Sequence, residues 1–304
     1  MGKTETTRTA RAVETNKQTG HDAGPNRAWQ QFQRNPLAII GLVIIIVLWG
    51  ATLLASYVTV HDPYEMDLEN PFLPVGSPEH WLGTDNFGRD VFSRIVWGGR
   101  ASLSVGIVVV GISATMGLIL GVISGYYGGW VDVLVMRVTD LFFAFPFFIL
   151  AIGVIAVLGP SLRNVMIVLG LVTWPEYARM VRAKTLALKS EPFVESARAA
   201  GAKDLRIMFY HVLPNCLGPV IVMATLGMAN AILAASGLSF LGMGVQPPEP
   251  EWGSMLNEAR MYMRTAPHLI VVPGLVIMLA VLGLNFLGDG LRDALDPKMP
   301  TTGK

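Results

Sequence analysis

The side chains that could do chemistry are few in this sequence, and they form no catalytic pattern. The chain has one cysteine, Cys216, and its histidines include His211 and His268, both near the ends of predicted helices. A lone cysteine excludes an internal disulfide and a Cys-x-x-Cys metal or redox site. The sequence has no GxxxxGKS/T nucleotide loop, no HExxH zinc motif and no GxSxG nucleophile turn. We therefore expect no catalytic residue, no metal ligand and no cofactor bound by this chain.

Four charged side chains lie in the apolar part of the sequence at spacings that allow pairing. Arg137 and Asp140 are three residues apart, and Glu176 and Arg179 repeat that spacing, so each pair can share one helix face. Each pair lies toward one end of its segment, so we interpret both as interfacial anchors. The centres of the apolar segments are otherwise nearly free of charge, whereas an ion path needs ionisable groups there. This pattern disfavours an ion-coupled carrier or channel.

The composition places these residues in a membrane protein. Of the 304 residues, 52% are apolar and only 15% are charged, whereas soluble domains carry about 25% charged residues. The mean hydropathy is +0.49. Lys and Arg number 23 against 22 Asp and Glu, so there is no basic excess for nucleic acid.

Six apolar segments are long enough to cross a bilayer, which takes about 20 residues. They cover residues 37–60, 102–124, 133–158, 164–182, 217–240 and 266–288. The sequence thus predicts an all-α integral membrane protein with a six-span domain over 37–290 and a cytoplasmic tail over 291–304. The polar segment 1–36 is expected to be cytoplasmic and largely disordered before about residue 28.

The basic residues predict how the chain is oriented. Seventeen of the 23 Lys and Arg residues fall on the side that holds both ends of the chain. Because basic residues accumulate on the cytoplasmic side, both termini are predicted to be cytoplasmic. Segment 61–90 carries seven acidic residues and one arginine, as an outer loop can.

The second span contains a row of glycines, Gly117, Gly121 and Gly125, that repeats every four residues. Such a row lies on one helix face and lets the backbone of a neighbouring helix approach closely. We interpret it as a helix-packing surface, with a gating seam as the sharper alternative. Pro146, Pro175 and Pro273 lie inside predicted spans, where a proline frees a backbone carbonyl and can kink the helix.

The outer loops contain two further candidate helices. Residues 90–100 place apolar side chains at helical spacing opposite Arg94, which predicts a short helix at the membrane surface. Residues 246–265 begin with Gln246 and two prolines and continue into an apolar row that starts at Trp252. This second segment either caps a cavity, receives a partner or is a packed connection.

The segment between the fourth and fifth spans is the most informative. Ser190 is a candidate N-cap, and Gly201 is a natural helix stop, so we expect a short helix over 191–201. So short a helix is marginal in water and must dock onto something. Its apolar side would form a small, compact docking surface made of Phe193, Val194, Ala197, Ala199 and Ala200.

This segment resembles a motif of one family. The permease subunits of bacterial ATP-binding-cassette importers carry the EAA motif, EAA-x3-G-x9-I-x-LP. The matching positions here are Glu195, Ala197, Gly201, Leu213 and Pro214, with Ser196 in place of the first alanine and His211 in place of the isoleucine. The resemblance implies that residues 191–201 form a coupling helix, with Ala199 and Ala200 also at the contact with an ATPase subunit.

Further motifs resemble the dipeptide/oligopeptide permease group, specifically its C-type subunit, and relatives of that group also move glutathione or nickel chelates. They lie at residues 82–91, 128–137, 240–248 and 288–297, and the resemblance covers about residues 28–299. Within them, Asp85, Arg89, Asp90 and Gln246 belong to outer-loop signatures, and Trp252 follows the last of these.

The resemblance implies the type I importer permease fold and the remaining subunits of a transport complex. Those are a paralogous permease subunit, two cytoplasmic ATPase subunits that use ATP and Mg, and an extracytoplasmic peptide-binding protein. The implied location is the bacterial cytoplasmic membrane.

Two other function classes are weighed against peptide import. A membrane enzyme such as an intramembrane protease needs a Ser–His pair or paired Asp residues inside the spans, and these are missing from the sequence. An ion-coupled carrier is disfavoured by the charge-poor span centres. Dipeptides, longer oligopeptides, glutathione and nickel chelates all remain open as substrates.

Overall fold

The structure, a computed structural model, describes residues 25–295. This part of the chain is helical, with two isolated β-bridges in the first outer loop and no strand. The helices are α1 (Pro25–Arg34), α2 (Pro36–Leu53), α3 (Ala55–Val58), α4 (Val91–Tyr127), α5 (Gly129–Ala144), α6 (Phe147–Leu158), α7 (Leu162–Lys189), α8 (Pro192–Ala199), α9 (Asp204–Ile207), α10 (Leu213–Phe240), α11 (Trp252–Ala259) and α12 (His268–Leu295). A π-helical turn (Met208–Val212) joins α9 to α10, and a 3-10 turn (Arg260–Tyr262) follows α11.

The predicted all-α fold is confirmed, whereas the count of six spans stays a prediction. Four helices are long and apolar enough to cross a membrane: α2, α4, the continuous helix Asp204–Phe240 and α12. The bent pair of α5 and α6 makes a fifth if it counts as one span. The predicted fourth span, 164–182, lies inside the 28-residue α7, which carries several charged residues and is not among these helices.

Two predicted segments have different boundaries in the structure. Residues 90–100 are not a separate surface helix, because α4 runs unbroken for 37 residues from Val91 and includes the predicted span 102–124. Asp90 caps this long helix by accepting a 2.7 Å hydrogen bond from the Ser93 N–H, so the helix begins at the loop. Arg94 is buried rather than exposed to water.

The predicted third span, 133–158, is two helices that meet at 90°. The bend falls at Pro146, which has no N–H to donate into the preceding turn. Phe145, the residue before it, is extended at φ −101° and ψ 138°, as expected for a residue that precedes proline. Pro175 and Pro273, in contrast, lie inside continuous helices.

The helices enclose three apolar clusters. The first joins the N-terminal half of α4 to α11 and α12, and the second lies among α4, α6, α7 and α10. The third packs the C-terminal ends of α4 and α7 against α8 and the start of the α9–α10 helix. The N-terminal segment was predicted to be largely disordered before about residue 28. Residues 1–24 lie outside the described residues, as do residues 296–304 of the predicted tail, and from Pro25 the chain is helical.

Candidate coupling segment and outer-loop network

The short helix α8 begins one residue later than its predicted N-cap. Glu191 occupies the N-cap position and Pro192 the first helical turn, where its missing N–H costs nothing. Ser190 instead ends α7, and its hydroxyl donates a 3.1 Å hydrogen bond to the Ala187 carbonyl. The predicted Ser190 cap is therefore wrong, because α7 continues to Lys189 and uses that serine at its own end.

The end of α8 is a two-bond Schellman turn centred on Gly201. The Gly201 N–H donates to the Arg198 carbonyl at 3.0 Å, and the Ala202 N–H donates to the Ala197 carbonyl at 3.1 Å. This geometry needs a left-handed residue after the cap, and Gly201 has φ +83°. The chain therefore reverses within two residues and enters α9.

One side of α8 packs against the protein and the other faces outward. Val194 is completely buried in the third apolar cluster, beside Ile207 and Val212, and Ala197 packs at its edge. The remaining motif residues of the helix are exposed: Glu195, Ser196, Ala199, Ala200 and Gly201. The predicted apolar side is therefore narrower than expected, because Ala199 and Ala200 turn outward and Phe193 is 40% exposed.

Polar contacts fix this segment to the end of α4. Lys189 donates from Nζ to the Tyr126 carbonyl at 2.7 Å, and the Tyr126 hydroxyl donates to Asp204 at 2.7 Å. Arg198 donates to the Tyr126 hydroxyl at 3.4 Å. This hydrogen bond raises the pKa of the Arg198 guanidinium, so that side chain stays a cation. Tyr126, at the end of α4, thus contacts Lys189 and Arg198 before the Gly201 turn and Asp204 after it.

The second half of the EAA motif lies in and next to the π-helical turn between α9 and α10. His211 belongs to the π-helical turn Met208–Val212, in which the Leu213 N–H bonds to the Met208 carbonyl. Pro214 has no N–H to donate to the Tyr210 carbonyl. This missing donor accounts for the interruption of the α-helical hydrogen-bond pattern just before it. Leu213 packs at the edge of the third cluster, and Pro214 is exposed.

The charged side chains of α5 and α7 pair between helices rather than along them. Arg182 holds Asp132 through two hydrogen bonds, of 2.5 and 2.6 Å, and Asp140 accepts a 2.6 Å bond from Arg179. The predicted pairing of Asp140 with Arg137 and of Arg179 with Glu176 is therefore wrong. Asp140 on α5 and Arg179 on α7 instead pair with each other across the two helices.

The outer-loop signature residues form a buried ionic network. Arg89 and Arg94 are each 1% exposed. Arg89 donates to Asp85 and to Glu258, at 2.7 Å in both cases, and Arg94 reaches the same Glu258 carboxylate at 3.2 Å. Asp90, besides capping α4, accepts a 3.0 Å contact from His80. Glu258 could not be identified as their partner from the sequence, because it lies far along the chain, in α11.

The second outer segment is packed into the bundle. The Trp252 indole is buried and donates to the Ile95 carbonyl at 2.9 Å. Glu251, also missed, caps α11 through the N–H groups of Gly253 and Ser254 and accepts a 3.0 Å hydrogen bond from Ser102. The Gln246 amide donates to carbonyls of its own turn, while the side chain stays exposed.

The glycine row faces α7 at close range. A β-carbon on Gly121 would lie 2.7 Å from the Ala178 carbonyl oxygen, and one on Gly125 would lie 2.8 Å from Thr185 Cβ. At Gly117 it would lie 2.8 Å from the Ala178 nitrogen. Real β-carbons are not found so close to other atoms, so this face has no room for a larger residue. Among residues 25–295, no cluster of His, Cys, Asp or Glu has the geometry of a metal site.

Comparison with known proteins agrees with this architecture. The model of the family "binding-protein-dependent transport system inner membrane component" matches residues 117–300, and that of the N-terminal TM domain of oligopeptide transport permease C matches residues 26–74. The fold is similar to that of the inward-facing MetNI methionine ABC transporter, with a TM-score of 0.54 at 21% identity over 66% of this chain and 96% of that chain.

Three relatives match nearly the whole chain. The dipeptide transport system permease protein DppC of Alkalihalophilus pseudofirmus is 49% identical over 90% of this chain and 89% of its own length. DppC of Haemophilus influenzae is 45% identical over 89% and 94%. The glutathione transport system permease protein GsiD of Pectobacterium atrosepticum is 44% identical over 89% and 90%. The chain therefore belongs to the family of binding-protein-dependent transport system inner membrane components.

Proposed function

We propose that this chain is the transmembrane permease subunit of an ATP-binding-cassette importer that moves dipeptides or oligopeptides across the cytoplasmic membrane. The observation that carries the proposal is α8, a short helix pinned by the buried Val194 that presents Glu195 outward. A helix of eight residues has little stability of its own, so its exposed face serves contact with another protein. The names of its relatives support peptide transport.

The remaining parts of the transporter are supplied by other chains. A paralogous permease subunit completes the pathway as a heterodimer, two cytoplasmic ATPase subunits bind ATP and Mg, and an extracytoplasmic binding protein delivers the substrate. This chain does not hydrolyse ATP; its role is translocation. Both termini lie in the cytoplasm, in accord with the distribution of basic residues.

Glutathione is a second candidate substrate, because one of the relatives is named for glutathione transport at 44% identity. It shares a peptide bond, a carboxylate and a free α-ammonium group with the dipeptides, so a pathway suited to one accommodates the other. Uptake of labelled Ala-Ala and of labelled glutathione by the reconstituted complex decides between them.

Co-purification tests the coupling role of α8. We expect Glu195→Ala to weaken retention of the ATPase subunits on the tagged permease, because Glu195 is the exposed carboxylate at the centre of the helix. The matched control is Glu249→Ala, which removes an exposed carboxylate from the outer loop and should leave retention unchanged.

Full retention of the ATPases and full transport-coupled ATP hydrolysis in Glu195→Ala, together with full activity in Gly201→Val, would refute the coupling role. Loss of retention in the Glu249→Ala control would also count against it, because the effect would then not be specific to α8. Immunoblotting of the membrane fraction separates either result from a change in insertion.

A further inference from the structure

A cavity of about 320 Å³ opens among α4, α6, α7 and α10, beside the bend at Pro146. Most of its lining is apolar, including Val109, Phe148 and Leu169. Its polar side chains are Ser113 on α4, Thr173, Glu176 and Tyr177 on α7 and Asn230 on α10. One carboxylate, that of Glu176, therefore lines this largely apolar open cavity, and the residue is exposed in the single chain.

Glu176 lies halfway along its helix rather than near an end. It follows the first residue of α7, Leu162, by fourteen positions in a helix of 28 residues, which is about 21 Å at 1.5 Å per residue. The interpretation of Glu176 as an interfacial anchor stays a prediction, and its place on the cavity wall at mid-length of α7 suggests a second role. In a helix that crosses the membrane, as predicted for residues 164–182, a carboxylate at mid-length is costly and marks a functional position.

Within residues 25–295, no cationic group lies within ion-pair distance of the Glu176 carboxylate. Arg179, one turn further along α7, is bound to Asp140 on α5 at 2.6 Å. The hydroxyls of Ser113 and Thr173 donate to carbonyls of their own helices, at 3.0 and 2.8 Å. The carboxylate thus retains its capacity to accept hydrogen bonds from a group that enters the cavity.

We propose that Glu176 binds the protonated amino group of the peptide substrate as it crosses the membrane, an inference that rests on the proposed function. An ammonium group offers three donors and a positive charge, which a carboxylate in an apolar cavity binds by charge-assisted hydrogen bonds. Asn230, on the opposite helix, supplies an amide that can donate to or accept from the peptide bond. Dipeptides, oligopeptides and glutathione all carry a free α-ammonium group, so one carboxylate serves them all.

An alternative partner for Glu176 is a cation from the second permease subunit. The cavity lining favours the substrate, because the carboxylate shares the cavity with polar groups from two other helices, Ser113 and Asn230. An intersubunit ion pair would instead make assembly depend on Glu176. The two possibilities therefore differ in what a neutral variant does to the complex.

The test uses the complete complex in proteoliposomes, with its binding protein, and compares Glu176→Gln with Glu176→Asp. Gln keeps the shape and loses the charge, whereas Asp keeps the charge on a shorter side chain. We expect Ala-Ala uptake to fall about tenfold in Glu176→Gln, the loss of one charge-assisted hydrogen bond, and to be partly retained in Glu176→Asp. N-acetyl-Ala-Ala, which has no ammonium group, should be affected by neither. Glu249→Gln is the control, since Glu249 is exposed and lies outside the cavity.

Uptake that falls further in Glu176→Asp than in Glu176→Gln would overturn the proposal, because shape rather than charge would then matter. Unchanged Ala-Ala uptake in Glu176→Gln would also overturn it. Loss of the paralogous permease subunit from the purified Glu176→Gln complex would assign the carboxylate to subunit pairing instead. Failure of the wild-type complex to move any peptide or glutathione refutes the proposed function, and that result is visible without any variant.

Discussion

Nη2 of Arg89 lies 2.7 Å from Oε2 of Glu258, although 169 positions separate the two residues. The same carboxylate receives Arg94 at 3.2 Å, so two guanidinium groups that are each 1% exposed share one acidic side chain of α11. This contact fastens the first outer loop and the start of α4 to the second outer segment.

Removing that carboxylate should be among the most destabilising single changes on the outer side. Glu258→Ala leaves two buried cations with only Asp85 nearby, and breaking a buried ion pair from one side costs about 3–5 kcal/mol. We expect a clearly lower melting temperature for the purified protein in detergent. Glu249→Ala, at an exposed position, should change stability by less than about 0.5 kcal/mol; equal melting curves for the two variants would contradict the role of the network.

The glycine row predicts a second strong effect. Gly121→Leu places a side chain where a β-carbon alone would lie 2.7 Å from the Ala178 carbonyl and 2.8 Å from Val181 Cβ, and overpacking of this kind costs about 3 kcal/mol or more. The α4–α7 contact should separate, with loss of folded, monodisperse protein in size-exclusion chromatography. At Gly50 no atom lies within 4 Å of an added β-carbon, so Gly50→Leu should elute like the wild type.

A third prediction concerns the ion pairs between α5 and α7. Arg182 donates hydrogen bonds to both carboxylate oxygens of Asp132, and Ser124 on α4 donates to the same carboxylate. Asp132→Asn should cost about 1 kcal/mol, since the pair is bidentate but partly solvated. Asp140→Asn should cost less, because its single contact with Arg179 is about half exposed; denaturation of both variants in parallel checks this order.

Backbone geometry alone is tested at Gly201. No atom lies within 4 Å of an added β-carbon there, yet φ is +83°, so any effect of substitution comes from the left-handed conformation. Asn tolerates that conformation and β-branched residues do not. We expect Gly201→Asn to retain the ATPase subunits and Gly201→Val to lose them in the same co-purification assay; equal loss in both variants would show that side-chain size matters instead.

Patterns of neighbouring residues predicted helix ends more reliably than the sequence predicted contacts between residues far apart in the chain. Gly201 was predicted to end a helix because a positive φ favours glycine, and the structure has that turn. The proline signal was ambiguous, since exposed Pro146 breaks its helix while buried Pro175 and Pro273 do not.

The partner of Arg89 could not be predicted. Nothing near residue 89 in the sequence indicates a carboxylate 169 positions away, and the pairing depends on how α11 folds back onto α4. Glu176 illustrates the same limit, because its i,i+3 spacing to Arg179 suggested a local pair. The contact of Arg179 with Asp140 on another helix decides against it.

The topology of α7 is the last prediction. Four of the five basic residues of that helix, Arg179, Arg182, Lys184 and Lys189, fall in its final eleven positions, and only Arg163 lies at the other end. The positive-inside rule therefore places the final turns in the cytoplasm. We expect a reporter fused after Ser161 to read external and one fused after Lys189 to read cytoplasmic, with fusions within 65–85 and near 250 external. If α7 does not cross the membrane, the reporters after Ser161 and Lys189 will read the same side. The chain would then have five spans, and its two ends would lie on opposite sides of the membrane. In that case α8 would lie on the external side, where a cytoplasmic ATPase subunit cannot reach it.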